Sequence, residues 1–253
     1  MKKKSMTLGL FALLLMAALL SSCASTDDIM NKYADLISEE PTEKSAAEVE
    51  KYVDDNIDKL DTRNADYMLQ LMDDFTYRYD ENGLDYRELA NKYKDCISKT
   101  LFDFYIIKAN EQDTPAVKDG ILQRDFEGLM LRALELEAFM DANKDAFRGD
   151  HYKIAKEDLV WIYESYISLM MKGSSVNPVF SYETGEVTEP ATASYAALAA
   201  AHSDTVTAWA AEEFLQYVDD VGGRLDYEDT AATKLYYDTC AYINSESGKK
   251  LLQ

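Results

Sequence analysis

A few groups of residues in this chain could do chemistry. Cys23 carries a nucleophilic thiol and follows the small residues Ser21 and Ser22. Asp54, Asp55 and Asp58 cluster within five residues. On a helix Asp54 and Asp58 would share a face and could hold a divalent cation against a phosphorylated substrate. Asp141, Asn143 and Asp145 set oxygens at alternate positions, as a cation-binding loop does. Asp80, Asn82, Asp85 and Glu88 form a fourth oxygen-rich stretch, and His151 and His202 are the only histidines.

Most of these groups have a simpler reading. Asp54-Asp55-Asn56-Ile57-Asp58 resembles the DDxxD motif of all-α isoprenoid synthases, which implies Mg²⁺ and a diphosphate substrate. A second aspartate-rich motif on another helix is missing, and basic residues for a diphosphate are sparse. These aspartates are therefore assigned to a solvated helix face. Asp141, Asn143 and Asp145 resemble the first half of an EF-hand loop. The match fails at Ala146 (the turn glycine), Arg148 and Tyr152 (the closing glutamate). Turn and capping chemistry accounts for Asp80, Asn82, Asp85 and Glu88. Neither histidine has Glu three residues before it, which closes the di-iron bundle reading. His202 falls on the stripe Tyr195, Leu198, His202, Val206 and Trp209, a core or boundary position. His151 lies at a helix start without an evident partner. The chain holds no His-Glu-x-x-His, Gly-x-Ser-x-Gly, phosphate loop or Cys-x-x-Cys. No catalytic residue, metal ligand or cofactor is assigned, and the chain is not read as an enzyme.

Cys23 stands apart. Lys2, Lys3 and Lys4 form a basic start, Leu8 to Leu20 is apolar, and Ser21-Ser22 precede the cysteine. This is the layout of a cleavable secretory signal. Leu20-Ser21-Ser22-Cys23 resembles the lipobox of bacterial lipoproteins. The resemblance implies removal of residues 1–22, diacylglycerol on Cys23, and a protein held on a membrane outside the cytoplasm. The apolar stretch is 13 residues, against roughly 20 for a span. Ala24-Ser25-Thr26-Asp27-Asp28 resembles the surface-export signal of some Gram-negative lipoproteins. Ala24 also differs from the aspartate of the inner-membrane retention signal. Outer-membrane placement, with surface exposure, is therefore expected.

Composition limits the partners. The net charge is −21; removing residues 1–22 removes three lysines and no acids, giving −24. Nucleic-acid binding needs Lys and Arg against phosphates, and docking on anionic lipid needs the same. Both are excluded as expectations, so the acyl chains carry the attachment to the membrane. Eighteen Tyr, nine Phe and two Trp argue for a packed core. Cys96 and Cys240 remain after maturation, and buried free thiols are favoured over a disulfide.

Helical periodicity runs through nearly the whole chain. It predicts an all-α bundle of about seven or eight helices. Residues 23–43 form a lipidated tether and short helix, and 44–253 a single all-α domain with a sub-boundary at 173–192. The expected helices cover 29–37, 44–60, 64–81, 85–110, 116–143, 151–172, 192–221 and 227–246. Asn64 is the expected cap of the third helix. Leu89, Tyr93, Cys96, Thr100 and Phe104 are read as one core stripe. The apolar runs at Leu129–Leu131 and Leu159–Tyr163 place their helices, with residues 96–107, at the centre. Ala196, Ala197, Ala199, Ala200 and Ala201 suggest a close helix approach.

The stretch 173–192 contains Pro178, Gly185 and Pro190 and reads as a crossover loop, with a small hairpin about Thr184-Gly185 as the other reading. Trp161, Tyr163 and Tyr166, and Tyr236, Tyr237 and Tyr242, could line a groove for a glycan or peptide; helical spacing assigns them to the core. The expected role is binding or scaffolding at the envelope, through a helical groove or the 173–192 loop. The other reading is an accessory lipoprotein that binds a small ligand or glycan for uptake.

Overall fold

The computed structural model describes residues 25–80 and 83–253. Cys23 and Asn82 lie outside the described residues. The chain is mostly helical, with eleven α-helices among the described residues, more than the seven or eight expected. No helix among them is long and apolar enough to cross a membrane. The chain divides into two compact units. One comprises the described residues up to Leu84 with Asp95–Ile97, the other Asp85–Lys94 with Ser98–Gln253.

The first unit is built on three helices, α1 (Thr26–Ile37), α2 (Glu43–Asn56) and α3 (Thr62–Tyr79), with a 3₁₀ turn at Ile57–Lys59. Their starts follow from capping chemistry. Ser25 and Asp28 form a reciprocal capping box on α1, as Thr42 and Ser45 do on α2. Asp61, rather than Asn64, caps α3, accepting from Asn64 N at 2.8 Å. Either side chain can cap, and the helix takes the earlier one. Ile29 and Tyr33 of α1, Val49 and Val53 of α2, and Met68 and Leu69 of α3 are buried. The Tyr33 hydroxyl donates to Met68 O at 2.9 Å, and the Tyr33 ring stacks on Tyr52.

The second unit contains α4 (Tyr86–Tyr93), α5 (Lys99–Asp113), α6 (Phe126–Ala142), α7 (Lys144–Phe147) and α8 (Lys153–Lys172). It ends with α9 (Glu189–Ala201), α10 (Val206–Asp220) and α11 (Thr230–Leu251). Helix α8 is central, packing against α5, α6, α10 and α11. Leu159, Tyr163, Tyr166, Ile167, Met170 and Met171 form its buried face.

Four breaks account for the difference from the expected layout. The expected helix 85–110 is two, because α4 ends at Tyr93 and Ser98 caps the next, accepting from Leu101 N at 3.1 Å. Cys96 thus sits in a turn, not on a helical stripe. The expected helix 116–143 starts only at Phe126, capped by Asp125. Ahead of it a ribbon pairs β1 (Val117–Lys118) with β2 (Ile121–Leu122). Asp119 and Gly120 both have positive φ, 52° and 78°. Asp-Gly at a two-residue hairpin favours this geometry, and it overrides the helical period. Asn143 ends α6 and α7 follows. The expected helix 192–221 divides at residues 202–205, where Thr205 caps α10.

Side-chain placement also differs in part. Leu131 and Trp161 are exposed, although their runs are apolar. A helix turns by about 100° per residue, so a run of three or five must reach solvent somewhere. Ala196, Ala197, Ala200 and Ala201 are exposed, so of the five alanines expected at a close helix approach Ala199 alone is buried. The buried alanines of the helix pair are Ala191 and Ala199 on α9, and Ala208, Ala210 and Ala211 on α10.

The segment 173–188 is neither helix nor named strand. It folds as a hairpin-like turn with isolated antiparallel bridges Phe180↔Val187 and Glu186↔Arg224. Gly185 has φ +74°, and a Cβ there would lie 2.3 Å from Leu225 O. Only glycine lets the turn lie against the chain at 223–225.

Candidate functional site

The acidic clusters are used locally. Asp54 and Asp55 are exposed near the end of α2, while Asp58 lies in the following 3₁₀ turn. The change of helix type separates the face that a DDxxD pair would share. Lys51 pairs with Asp55 at 2.6 Å, and Lys59 donates to Asn56 Oδ1 at 3.1 Å. Asp141 pairs with Lys144 and Asp145 with Arg148. Asn143 accepts from Thr100 Oγ1 at 2.8 Å and donates to Phe139 O at 2.9 Å. Asp85 caps α4 through Glu88 N, and Asp80 O accepts from Gly83 N. No group of three or more His, Cys, Asp or Glu among the described residues could hold a metal ion.

The histidines and cysteines are placed as follows. His151 is half-buried in a 3₁₀ turn, its ring edge-on to Tyr152 at 4.7 Å. His202 is exposed, contrary to the core stripe expected for it. Helix α9 ends before it, so the spacing that put it on that stripe does not carry across. Cys96 and Cys240 are both free thiols, the first half-buried and the second buried. Burial pushes the Cys240 thiol up to about 12, which keeps it protonated and unreactive.

The aromatic residues separate into two layers where the 173–188 turn meets α10 and α11. Phe180 forms the inner layer. It is fully buried, edge-on to Tyr236 at 5.5 Å and to Phe214 and Tyr217 at 6.4 Å. Two residues on, Tyr182 points outward and is 59% exposed. Tyr182 opens the turn at 182–184, where the chain leaves the core. The Tyr182 ring lies 5.2 Å from that of Tyr227. The Tyr227 hydroxyl donates to Phe180 O at 3.0 Å. Burial, with Tyr182 and Tyr237 close by, pushes that hydroxyl up to about 12. Tyr237, 47% exposed, extends the surface onto α11.

The backbone beneath this surface is braced. Ser181 N donates to Glu186 O, Gly185 N to Ser181 O, and Leu225 N to Gly185 O, each at 2.8 Å. Val187 N donates to Gly223 O at 2.9 Å. Glu183, Asp226, Glu228 and Asp238, each next to one of these tyrosines in the sequence, are exposed, and Asp238 pairs with Lys234. The arrangement presents aromatic faces with exposed acids at neighbouring positions on a braced frame. That suits a partner carrying Lys or Arg, whose cations can stack on the rings.

A second concavity, of about 810 Å³, opens between α6, α7, the start of α10 and the end of α11. Lys144, Arg148, Lys156, His202 and Lys250 line it, with Leu134, Met140, Phe147 and Leu251. Glu137 forms part of the wall, but its carboxylate caps α10. It accepts from Val206 N at 2.6 Å, Thr207 N at 2.9 Å and Thr207 Oγ1 at 2.8 Å.

Of the aromatics expected in the core, Tyr163, Tyr166 and Tyr236 are buried, whereas Trp161, Tyr237 and Tyr242 are exposed. Tyr182 and Tyr227 were not legible as neighbours, since 45 residues separate them in the chain. The alternation of Phe180 and Tyr182 in a Gly- and Pro-bounded stretch was the available signal. No protein-family model, curated protein or solved structure matches this chain.

Proposed function

We propose that this protein is a lipid-anchored, extracytoplasmic binding module that docks a partner protein through Tyr182, Tyr227 and Tyr237. The observation that carries the docking reading is the exposure of Tyr182 and Tyr237 beside the half-buried Tyr227, with the 173–188 turn braced by backbone hydrogen bonds. Unanchored surface tyrosines would be ordinary; a braced cluster keeps the ordering cost of binding low. The exposed acids at neighbouring positions favour a basic segment as the docking element. Helix α1 begins at Thr26, three residues after Cys23. This supports a body held close to the membrane by lipid on Cys23, with the outer membrane as its site. No catalytic role, metal or cofactor is assigned.

Two experiments test the reading. Labelled palmitate is incorporated by the native chain and not by Cys23→Ala; equal incorporation by both overturns the anchor. A photo-crosslinking residue at position 182 or 237 in intact cells gives a discrete protein adduct. Absence of any protein adduct, with an oligosaccharide bound by the native chain and not by Tyr182→Ala, transfers the surface to a glycan.

A further inference from the structure

The concavity between α6, α7, α10 and α11 has a lining unusual for this chain. Acids outnumber bases 47 to 26 overall. Yet Lys144, Arg148, Lys156 and Lys250 all border this one cleft. Its acids are largely engaged. Glu137 is occupied by three donors of α10, and Asp141 is paired with Lys144 at 3.1 Å. Asp204 is the remaining acid of the lining.

Among the described residues, two of the cations are held by groups other than a carboxylate. Lys156 Nζ donates to Phe147 O at 3.1 Å, and Lys250 Nζ lies 4.6 Å from the centre of the Trp209 ring. The Lys144–Asp141 and Arg148–Asp145 pairs are exposed. Such pairs contribute little and can exchange partners readily. Beside the cations lie Leu134, Met140, Phe147, Leu251 and Leu252. The volume is within the range of small-molecule sites, about 300–1,000 Å³.

We infer that this cleft binds a single-chain organic anion, an apolar body ending in a carboxylate or phosphate head. The head pairs with Lys156 and Lys250, and the body covers the apolar surface left open at Leu134, Leu251 and Leu252. Neither half of the site accounts for the ligand alone. An inorganic anion would leave the apolar wall uncovered, and a neutral alkane or alcohol would leave the cations unused. The inference stands independently of the tyrosine surface, which involves other residues.

The chain supplies its own reporter. Trp161 and Trp209 are its only tryptophans. In a Trp161→Phe background, emission therefore comes from Trp209, against which Lys250 rests. The full chain in lipid nanodiscs is titrated with decanoate, decyl phosphate, decanol and inorganic phosphate below micelle-forming concentrations, with empty nanodiscs correcting for partitioning. Decanoate or decyl phosphate is expected to give a saturable change in Trp209 emission, and whichever binds more tightly identifies the head. Decanol and inorganic phosphate are expected to give none. Lys156→Gln with Lys250→Gln should weaken binding at least about tenfold, since charge-assisted contacts are lost. Isothermal calorimetry reads the same loss without relying on Trp209. Leu252→Asp, at an exposed position of the lining, should also weaken it, and Lys118→Gln, outside the cleft, should not. Absence of saturable binding, equal binding of inorganic phosphate, or full affinity in the double lysine variant at unchanged thermal stability would each overturn the inference.

Discussion

Phe180 and Tyr182 stand two residues apart on one segment and meet opposite surroundings. Phe180 is sealed among Phe214, Tyr217 and Tyr236. Tyr182 is open to solvent beside Tyr227 and the exposed Tyr237. The inner ring fixes where the turn lies, and the outer rings are displayed by it. Residues of one chemical type thus divide between the core and the surface, and orientation decides which. Tyr227 joins the two layers, because its ring faces Tyr182 while its hydroxyl holds Phe180 O.

The division can be broken from the inside first. Phe180→Ala should lower stability by about 3–5 kcal/mol, read by chemical denaturation, and should release the turn. Gly185→Ala should follow at about 1–3 kcal/mol, from backbone strain at positive φ and a clash with Leu225 O. Tyr227→Phe keeps the ring and loses one hydrogen bond, so about 0.5–1.5 kcal/mol is expected.

The buried part of the second unit should also show a pH dependence. Burial raises the Glu111 carboxyl above its ordinary 4.5, although the Tyr166 hydroxyl donates to it at 2.6 Å. The folded state therefore holds that proton more tightly than the unfolded state. The contribution is present below about 4.5 and is lost as pH rises through the raised value. Glu111→Gln should flatten stability across that window. The smallest stability effect belongs outside: Tyr182→Ala should stay within about 0.5 kcal/mol of the native chain.

The helical class was legible because the 3.6-residue period marks Tyr163, Tyr166, Ile167 and Met170 as one buried face. Three local signals that the period hides account for most of the additional breaks. Ser98 and Thr205 are helix caps that lie between two stretches of helical period. Asp119-Gly120 imposes a turn that only positive φ satisfies. The tyrosine surface was legible only in part. Tyr237 is on a helix rich in aromatics, and periodicity alone could not say which of Tyr236 and Tyr237 faces inward. Tyr182 and Tyr227 meet through a turn held by the Gly185 contact with Leu225, and no local pattern encodes that contact. The cationic cleft was hidden for the same reason: Lys156 and Lys250 are 94 residues apart.

The most direct test places a photo-crosslinking residue at Tyr182, Tyr237 and, as a similarly exposed control, Tyr77 of the first unit, in cells carrying the full chain. The account predicts one shared protein adduct from positions 182 and 237, none from 77, and its loss from position 182 when Tyr237 and Tyr227 are replaced by alanine in a chain of unchanged fold. The same adducts from all three positions, or an adduct from 182 that survives removal of the other two rings, would contradict it.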